Sequence, residues 1–210
     1  MSGRQFSDVP EQWTVVDSAP VYQGRIIGLR ADTVVMPDGQ KAVREVVEHP
    51  GAVGVIAVDE ADRILVVRQY RHPVGHRLWE PPAGLLDVVG ESPLLAAERE
   101  LYEEGHHRAS QWQVLVDLFT SPGMSEEALR IYLARGLTEV PAAERHAGAE
   151  EEADMEVAWV DFEHLLELVL GGQLHNPTMV AGVLALAATR AGRGLAALRP
   201  GNAPWSQRPF

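Results

Sequence analysis

Residues 84–107 read GLLDVVGESPLLAAERELYEEGHH, and the second half of this stretch carries the signals of a short helix. Ser92 followed by Pro93 is a helix N-cap followed by a first-turn proline. Gly105 suits the left-handed position just past a helix end, so the helix is expected to stop near it. The apolar residues in between recur at helical spacing and predict one buried stripe, formed by Leu94, Ala97 and Leu101.

Three acidic residues of the same segment, Glu100, Glu103 and Glu104, are predicted to share a neighbouring face, because residues three and four apart meet on a helix surface. Like charges that are packed together repel unless a cation offsets them. Mg²⁺ prefers carboxylate oxygens and leaves positions open for substrate phosphates, which favours a metal site. Taken alone, an acidic cluster is also typical of a solvated helix face.

The stretch resembles the Nudix box, G-x5-E-x7-R-E-U-x-E-E-x-G-U, in which U is apolar. Seven residues match it in order: Gly84, Glu91, Arg99, Glu100, Leu101, Glu103 and Glu104. The resemblance implies a hydrolase of nucleoside diphosphates linked to another group, with the glutamates holding divalent metal and Arg99 steadying them. It also implies an α/β fold, a Nudix α/β/α sandwich in which a mixed sheet lies between helices.

Two departures from the box concern the ends of the stretch. Six residues rather than five separate Gly84 from Glu91, which predicts a longer loop without moving the side chains of the helix. The ending is Gly105-His106-His107, so the glycine falls one position early and a histidine replaces the apolar residue. An earlier glycine can still end the helix, and both histidines are expected near its negative pole or on the surface rather than on a metal.

The composition is that of one ordinary globular domain, or of a core domain with a small appendage: 210 residues, 46% hydrophobic and 23% charged. A net charge of −12 argues against nucleic acid or an anionic membrane as the main partner. The absence of cysteine excludes disulfides, thiol catalysis and zinc–thiolate sites. Neither a signal peptide nor an apolar run of membrane-spanning length is recognisable, so a cytoplasmic location is expected.

The N-terminal region predicts three strands with a hairpin turn between the last two, at 13–19, 22–36 and 41–49. A few strands make a poor core, so they should form a small antiparallel sheet that packs on something else. The region resembles the ADP-ribose pyrophosphatases of the Nudix family, in which an N-terminal sheet swaps across a homodimer and helps to form the partner's substrate site. That resemblance implies substrate contacts from Arg44 and Glu45; without it, an exposed ion pair is equally typical.

Pro50-Gly51 predicts a domain boundary, and two apolar segments follow it, at 52–58 and 63–71. Their composition and the acidic turn between them predict a hairpin of a buried sheet. Arg71 closes the second segment, and a guanidinium binds phosphate bidentately. Its place in the family pattern implies a phosphate contact, whereas an arginine at a strand end is otherwise usually solvated.

Residues 79–84, WEPPAG, resemble the family's E-x-P-A-G approach to the box, in which the residue before the glycine gives its backbone carbonyl to metal. Ala83 fits this role because a carbonyl oxygen is a good ligand for a hard cation. Glu80 is expected to orient substrate or to hold a further metal, with a purely structural acid as the alternative.

Two later strands are predicted at 113–120 and 128–135, with Ser121-Pro122-Gly123 between them. A proline in S-P-G at this distance beyond the box resembles the ADP-ribose pyrophosphatases and implies a substrate role for Pro122, although alone it indicates a simple turn. Residues 138–153 are polar and acidic and predict a long loop. A loop glutamate is the general base in this subfamily, which implies Glu152 first and Glu151 next.

Two helices are predicted near the C-terminus, one capped by Asp161 and one starting at Asn176-Pro177. The remainder is rich in Gly, Pro and Arg and is expected to be a tail. The predicted organisation is therefore an N-terminal sheet domain for dimerisation, a Nudix domain and a tail, over residues 1–50, 51–192 and 193–210.

The most specific interpretation is Mg²⁺-dependent hydrolysis of ADP-ribose to AMP and ribose 5-phosphate by a homodimer, with Mn²⁺ as a possible substitute. One alternative is a Nudix hydrolase of another nucleoside diphosphate derivative, such as a nucleotide sugar, NADH or an oxidised nucleoside triphosphate. The other is a non-catalytic Nudix module that binds ADP-ribose. The intact R-E-L-x-E-E argues against this last alternative, because a sensor has no use for a complete metal cluster.

Overall fold

The structure is a computed structural model that describes residues 6–146 and 155–206. The chain divides into two compact units. The first consists of Met1–His49 together with Ser121–Glu126, and the second consists of Pro50–Thr120 and Glu127–Phe210.

The first unit is built on a three-stranded antiparallel sheet, which confirms the prediction of a small N-terminal sheet. Its strands, in the spatial order β1-β2-β3, are β1 (Val15–Gln23), β2 (Gly28–Val35) and β3 (Lys41–Glu48). The predicted turn before β3 is present: Gly39 has a φ of 81°, and its N–H donates to the Met36 carbonyl at 2.8 Å. All nine residues of β1 are exposed.

The segment Ser121–Glu126 joins this unit at the β3 edge. The Val47 N–H donates to the Met124 carbonyl at 2.8 Å, and the Glu126 N–H donates to the Val47 carbonyl at 3.2 Å. The Arg30 guanidinium adds a side-chain link, with Nη1 at 3.0 Å from a Glu48 oxygen and 3.3 Å from a Glu126 oxygen. The segment that carries the S-P-G motif is therefore held to β3 by backbone hydrogen bonds and to β2 by an ion pair.

The second unit contains two sheets and three helices. Its elements are β4 (Ala52–Ala57), β5 (Arg63–Arg71), β6 (His76–Glu80), β7 (Ala83–Leu85), α1 (Pro93–Glu103), β8 (His107–Phe119), β9 (Ala128–Glu139), β10 (Glu156–Asp161), α2 (Phe162–Leu170), α3 (Pro177–Ala191) and β11 (Arg199–Pro200). The five-stranded sheet has the order β11-β8-β9-β4-β7, and the three-stranded sheet has the order β10-β5-β6.

The five-stranded sheet is mixed and lies between helices, which confirms the predicted α/β/α sandwich. Strand β4 pairs parallel with β9 and antiparallel with β7. Because side chains alternate along a strand, Val53 and Val55 pack into the core beneath α1, whereas Ile56 packs into the core beneath α2 and α3. Helix α1 therefore packs on one face of the sheet, and α2 and α3 pack on the other.

The predicted hairpin between 52–58 and 63–71 is wrong. The two segments belong to different sheets and meet only through an isolated bridge between Val58 and Ile64. The physical reason is that β4 has both of its edges filled by β9 and β7, and β5 has both of its edges filled by β10 and β6. A short turn between two apolar strands brings them close without making them partners.

The C-terminal segment, expected to be a tail, is folded on the second unit over its described residues. Strand β11 pairs with β8, and Trp205 packs against the core beneath α1. The buried Arg130 side chain donates to the carbonyls of Ala203 and Pro204 at 2.7 and 3.1 Å, and its guanidinium lies 4.7 Å from the Trp205 ring centroid. Buried hydrogen bonds hold this segment, and the local sequence pattern does not predict them.

Replacing Asp117 with Asn is expected to lower the free energy of unfolding by about 2–3 kcal/mol, since hydrogen bonds to charged groups are worth that much when buried. Asp117 receives two bonds from Arg130, at 2.8 and 3.0 Å, and one from Arg199 at 2.7 Å. Urea unfolding measures the loss. The exposed Asp87 of the second unit, replaced with Asn, is the control and should change stability by less than about 0.5 kcal/mol. Equal losses in the two variants would contradict the prediction.

Within the described residues, no helix combines the length and the apolar character that crossing a membrane requires.

Candidate active site

Helix α1 provides the platform of the candidate site. The Ser92 hydroxyl accepts a hydrogen bond from the Leu95 N–H at 3.3 Å, and Pro93 is the first helical residue. Ala97 and Leu101 are fully buried, and Leu94 is partly buried. The predicted start and buried stripe are therefore confirmed, and the acidic residues lie on a neighbouring flank of the helix.

The end of α1 departs from the expectation that Gly105 takes the left-handed position. His106 takes that conformation instead, with a φ of 54°. Gly105 is required for space, because a Cβ on it would lie 2.6 Å from Leu65 Cδ2 and 2.8 Å from the Leu101 carbonyl oxygen. The ring nitrogen Nδ1 of His106 is enclosed without a described partner, and burial, followed by the charge of Arg145, lowers the pKa of His106.

Arg99 organises the acidic residues around it. Its Nε and Nη2 each donate to a carboxylate oxygen of Glu91 at 3.0 Å. Its Nη1 donates to Glu100 at 2.5 Å and to Glu103 at 3.1 Å. The hydrogen bond to Glu91 is the strongest influence that raises the pKa of Arg99 above its ordinary value, against the opposing effect of burial. One guanidinium thus holds three carboxylates in fixed positions.

Two contacts join this helix to β7. The Ala83 N–H donates to Glu104 Oε2 at 2.9 Å. Gly84 lies against Glu100 so closely that a Cβ on it would sit 1.9 Å from Glu100 Oε1. The carboxylates of Glu100 and Glu104, both of which are buried, therefore face the Ala83–Gly84 backbone.

A second charged pair lies at the ends of β5 and β6. Arg71 Nε donates to Glu80 Oε1 at 2.9 Å, and its Nη2 donates to Glu80 Oε2 at 2.6 Å. Glu80 is 1% exposed, whereas the side chain of Arg71 is 39% exposed. Glu80 thus fixes an arginine that reaches the surface, and a bidentate contact of this kind orients a guanidinium strictly.

The acidic cluster on α1 has the donor set of a hard divalent cation. Among the described residues, no three Asp, Glu, His or Cys side chains converge as an ion cage. Arg99 and the Ala83 N–H occupy carboxylate oxygens of Glu100 and Glu104. Glu100 and Glu103 nevertheless share one cationic group, Arg99 Nη1, so positive charge already lies where two carboxylates meet. Carboxylate oxygens next to a backbone carbonyl are the ligands that Mg²⁺ accepts.

The remaining predicted site residues belong to the first unit or lie outside the described residues. Arg44 and Glu45 are exposed neighbours on β3, and adjacent strand residues point to opposite faces. Pro122 lies in the segment that belongs to the first unit. Glu151 and Glu152, predicted as the general base, lie outside the described residues.

The sequence reasoning missed two functions that the geometry assigns. The match to the box gives Glu91 no role of its own, whereas in the structure it is the main anchor of Arg99. The sequence predicts only that a loop follows Gly84, whereas in the structure the missing side chain of Gly84 leaves the space that Glu100 fills. The match of this glycine and this glutamate to positions of the box was the signal for both roles.

Comparisons with known proteins show resemblance in sequence and in fold. Residues 48–181 match the NUDIX domain family, and residues 13–47 match the nucleoside diphosphate sugar hydrolase N-terminal domain. The chain is 50% identical over 194 residues to an ADP-ribose pyrophosphatase of Mycobacterium tuberculosis, covering 92% of this chain and 91% of that protein. It is 34% identical to a methanol dehydrogenase activator of Bacillus methanolicus, over 80% of this chain and 89% of that protein. A crystal structure of an ADP compounds hydrolase, 20% identical, superposes with a TM-score of 0.73 over 90% of this chain and 99% of that chain. The protein described here belongs to the Nudix hydrolase family.

Proposed function

We propose that the chain hydrolyses the diphosphate bond of ADP-ribose, adding water across a P–O bond to give AMP and ribose 5-phosphate. The observation that carries this proposal is the Arg99-centred carboxylate cluster beside Ala83 and Gly84. The choice of substrate follows the ADP-ribose pyrophosphatase from Mycobacterium tuberculosis, with which the chain shares half of its residues over nearly its full length.

Mg²⁺, with Mn²⁺ as a possible substitute, would be held by Glu100, Glu103, Glu104 and the Ala83 carbonyl. When bound, such an ion lowers the pKa of a coordinated water and neutralises charge on the phosphoryl oxygens. Arg99 keeps the glutamates in position, since it already bonds two of them. A loop glutamate, Glu152 first and Glu151 next, would accept the proton of the attacking water.

The arginine at the end of β5 orients the diphosphate in this proposal. Arg71 is held at two nitrogens by the buried Glu80, and its side chain is partly exposed. A guanidinium fixed in this way matches the geometry of phosphate oxygens. Glu80 acts through Arg71, so it is a positioning residue rather than a contact of the reacting atoms.

The N-terminal unit would complete the substrate site by exchange across a homodimer, with Arg44, Glu45 and Pro122 as substrate contacts. The exposed surface of β1 supports association through this unit. Every residue of β1 is exposed, although four of its side chains are large and apolar: Val15, Val16, Val21 and Tyr22. An edge strand with exposed apolar side chains is a ready surface for pairing.

Replacing Val21 with Asp is expected to convert the dimer to a monomer, because it places a charge in the apolar surface of β1. Light scattering after size-exclusion chromatography measures the mass. The control is Val89→Asp, which puts the same charge at a fully exposed valine of the second unit and should leave the dimer intact. A dimer that survives in Val21→Asp would show that β1 is not its interface.

A substrate panel with product identification tests the proposed activity. With Mg²⁺, ADP-ribose should be the preferred substrate and should give AMP and ribose 5-phosphate, and EDTA should abolish turnover. Preference for a nucleotide sugar, NADH or an oxidised nucleoside triphosphate would assign a different Nudix hydrolase activity. ADP-ribose that is bound but not consumed with Mg²⁺ present would instead indicate a non-catalytic binding module.

A further inference from the structure

Gln69 is a largely buried residue whose side-chain amide has no partner among the described residues. The residue is only 8% exposed, and its side chain makes no hydrogen bond with any described residue. A largely buried residue whose polar atoms have no protein partner is available to hydrogen-bond a ligand, because ligand pockets are lined by a small number of such polar groups.

The side chain of Gln69 lies on the face of the β10-β5-β6 sheet that looks toward α1. Residues two apart on a strand share a face, so Gln69 lies with Leu65 and Arg71. Leu65 belongs to the core beneath α1, and it contacts Gly105 at the end of that helix. Gln69 is therefore on the same side of the sheet as the acidic cluster.

The Arg71–Glu80 ion pair spans the position of Gln69. In the pairing of β5 with β6, Glu80 is opposite Val67, Leu78 is opposite Gln69, and His76 is opposite Arg71. The Arg71 side chain must consequently run back along the strand, past Gln69, to reach Glu80 at 2.6 Å. The amide lies beside the guanidinium that the proposed function assigns to the diphosphate.

The amide of Gln69 is also not sealed inside the protein. Within the described residues, the fully enclosed side-chain nitrogen and oxygen atoms without partners are Arg68 Nε, His106 Nδ1 and Trp205 Nε1, and neither amide atom of Gln69 is among them. A small molecule in the site can therefore reach it. A primary amide offers two N–H donors, which suit the anionic oxygens of a diphosphate.

We propose that Gln69 binds substrate, its amide N–H donating a hydrogen bond to a non-bridging oxygen of the diphosphate beside Arg71. This inference rests on the proposed function, because it takes the diphosphate to lie between Arg71 and the carboxylates of α1. The bond forms with the ground state and the transition state alike, so it contributes to affinity rather than to the chemical step.

The test replaces Gln69 with Met, which keeps the length of the side chain and removes its hydrogen bonds. Three quantities are measured with Mg²⁺: the Kd for an ADP-ribose analogue with a methylene bridge in the diphosphate, KM and kcat for ADP-ribose, and Tm. We expect Kd and KM to rise at least about tenfold, as for a lost hydrogen bond to a charged group, with kcat within about threefold. Tm should stay within about 2 °C of the wild-type value, because the substitution keeps the length of the side chain and breaks no hydrogen bond between described residues.

A second glutamine provides the matched control. Gln113 donates to the Leu195 carbonyl at 2.9 Å and accepts from Arg135 at 3.3 Å, so its amide is structural. Gln113→Met should lower Tm by about 2–4 °C and leave Kd and KM unchanged. A Gln69→Met variant with the same pattern as this control would overturn the inference.

The measurements also separate this inference from the proposed function. Wild-type protein that binds the analogue in a Gln69-dependent way, yet does not cleave ADP-ribose, would refute the proposed function and support the role of Gln69. Wild-type protein that cleaves ADP-ribose, with the Kd of the analogue unchanged in Gln69→Met, would support the proposed function and overturn the role of Gln69.

Discussion

Replacing Glu104 with Gln is expected to reduce kcat for ADP-ribose by at least about 10³-fold and to change Tm by less than about 2 °C. Glu104 Oε2 accepts the Ala83 N–H at 2.9 Å, and the side-chain oxygen of glutamine can accept the same bond. The junction between α1 and β7 is therefore kept. The negative charge is lost, and with it the carboxylate that would hold a divalent cation against the substrate phosphates.

The matched control for this variant is Glu98→Gln on the same helix. Glu98 is exposed and makes no described hydrogen bond or ion pair, so kcat and the Mg²⁺ concentration for half-maximal activity should both stay at wild-type values. In Glu104→Gln the Mg²⁺ requirement should rise together with the loss of kcat. Wild-type kcat in Glu104→Gln at saturating Mg²⁺ would show that Glu104 is not a metal ligand.

The parts of the fold that sequence reasoning predicted correctly depend on local chemistry. Ser92 and Pro93 start α1, and Asn176 caps α3 by accepting the Met179 N–H at 2.9 Å, because capping involves neighbours a few residues away. Strand pairing is different. The parallel partner of β4 is β9, which begins with Ala128. Because this pairing joins segments that are far apart in the sequence, residues 52–58 alone do not predict it.

In the candidate site, too, local features were predictable from the sequence and contacts with distant segments were not. The helical spacing of Glu100, Glu103 and Glu104 predicted that they share a flank, since that is a property of the helix itself. Their fixed positions come from groups beyond the helix: Glu91 anchors Arg99, and the Ala83 N–H holds Glu104. Sequence reasoning also left Glu80 open between a ligand and a structural acid, because its contact with Arg71 depends on the pairing of two strands.

Replacing Gly84 with Ala is expected to reduce kcat/KM for ADP-ribose at least about 100-fold, with a loss of only about 1–2 kcal/mol in the free energy of unfolding. The new methyl carbon would lie 1.9 Å from Glu100 Oε1 and 2.1 Å from Glu100 Cδ, distances that no real contact allows. Gly84 does not have a positive φ, so alanine is acceptable to the backbone and the conflict is with this side chain alone. Glu100 must move away, which breaks its 2.5 Å bond to Arg99 and displaces a proposed metal ligand.

A double-mutant cycle with Glu100→Ala isolates that cause. If the collision with Glu100 is the source of the damage, Gly84→Ala should cost little further stability or activity once the Glu100 side chain has been removed. Gly123→Ala is the control for the glycine substitution itself, because a Cβ there meets no atom within 4 Å, and it should leave stability unchanged. Additive losses from Gly84→Ala and Glu100→Ala would mean that Gly84 acts independently of Glu100, and the role assigned here to the glycine of the box would be wrong.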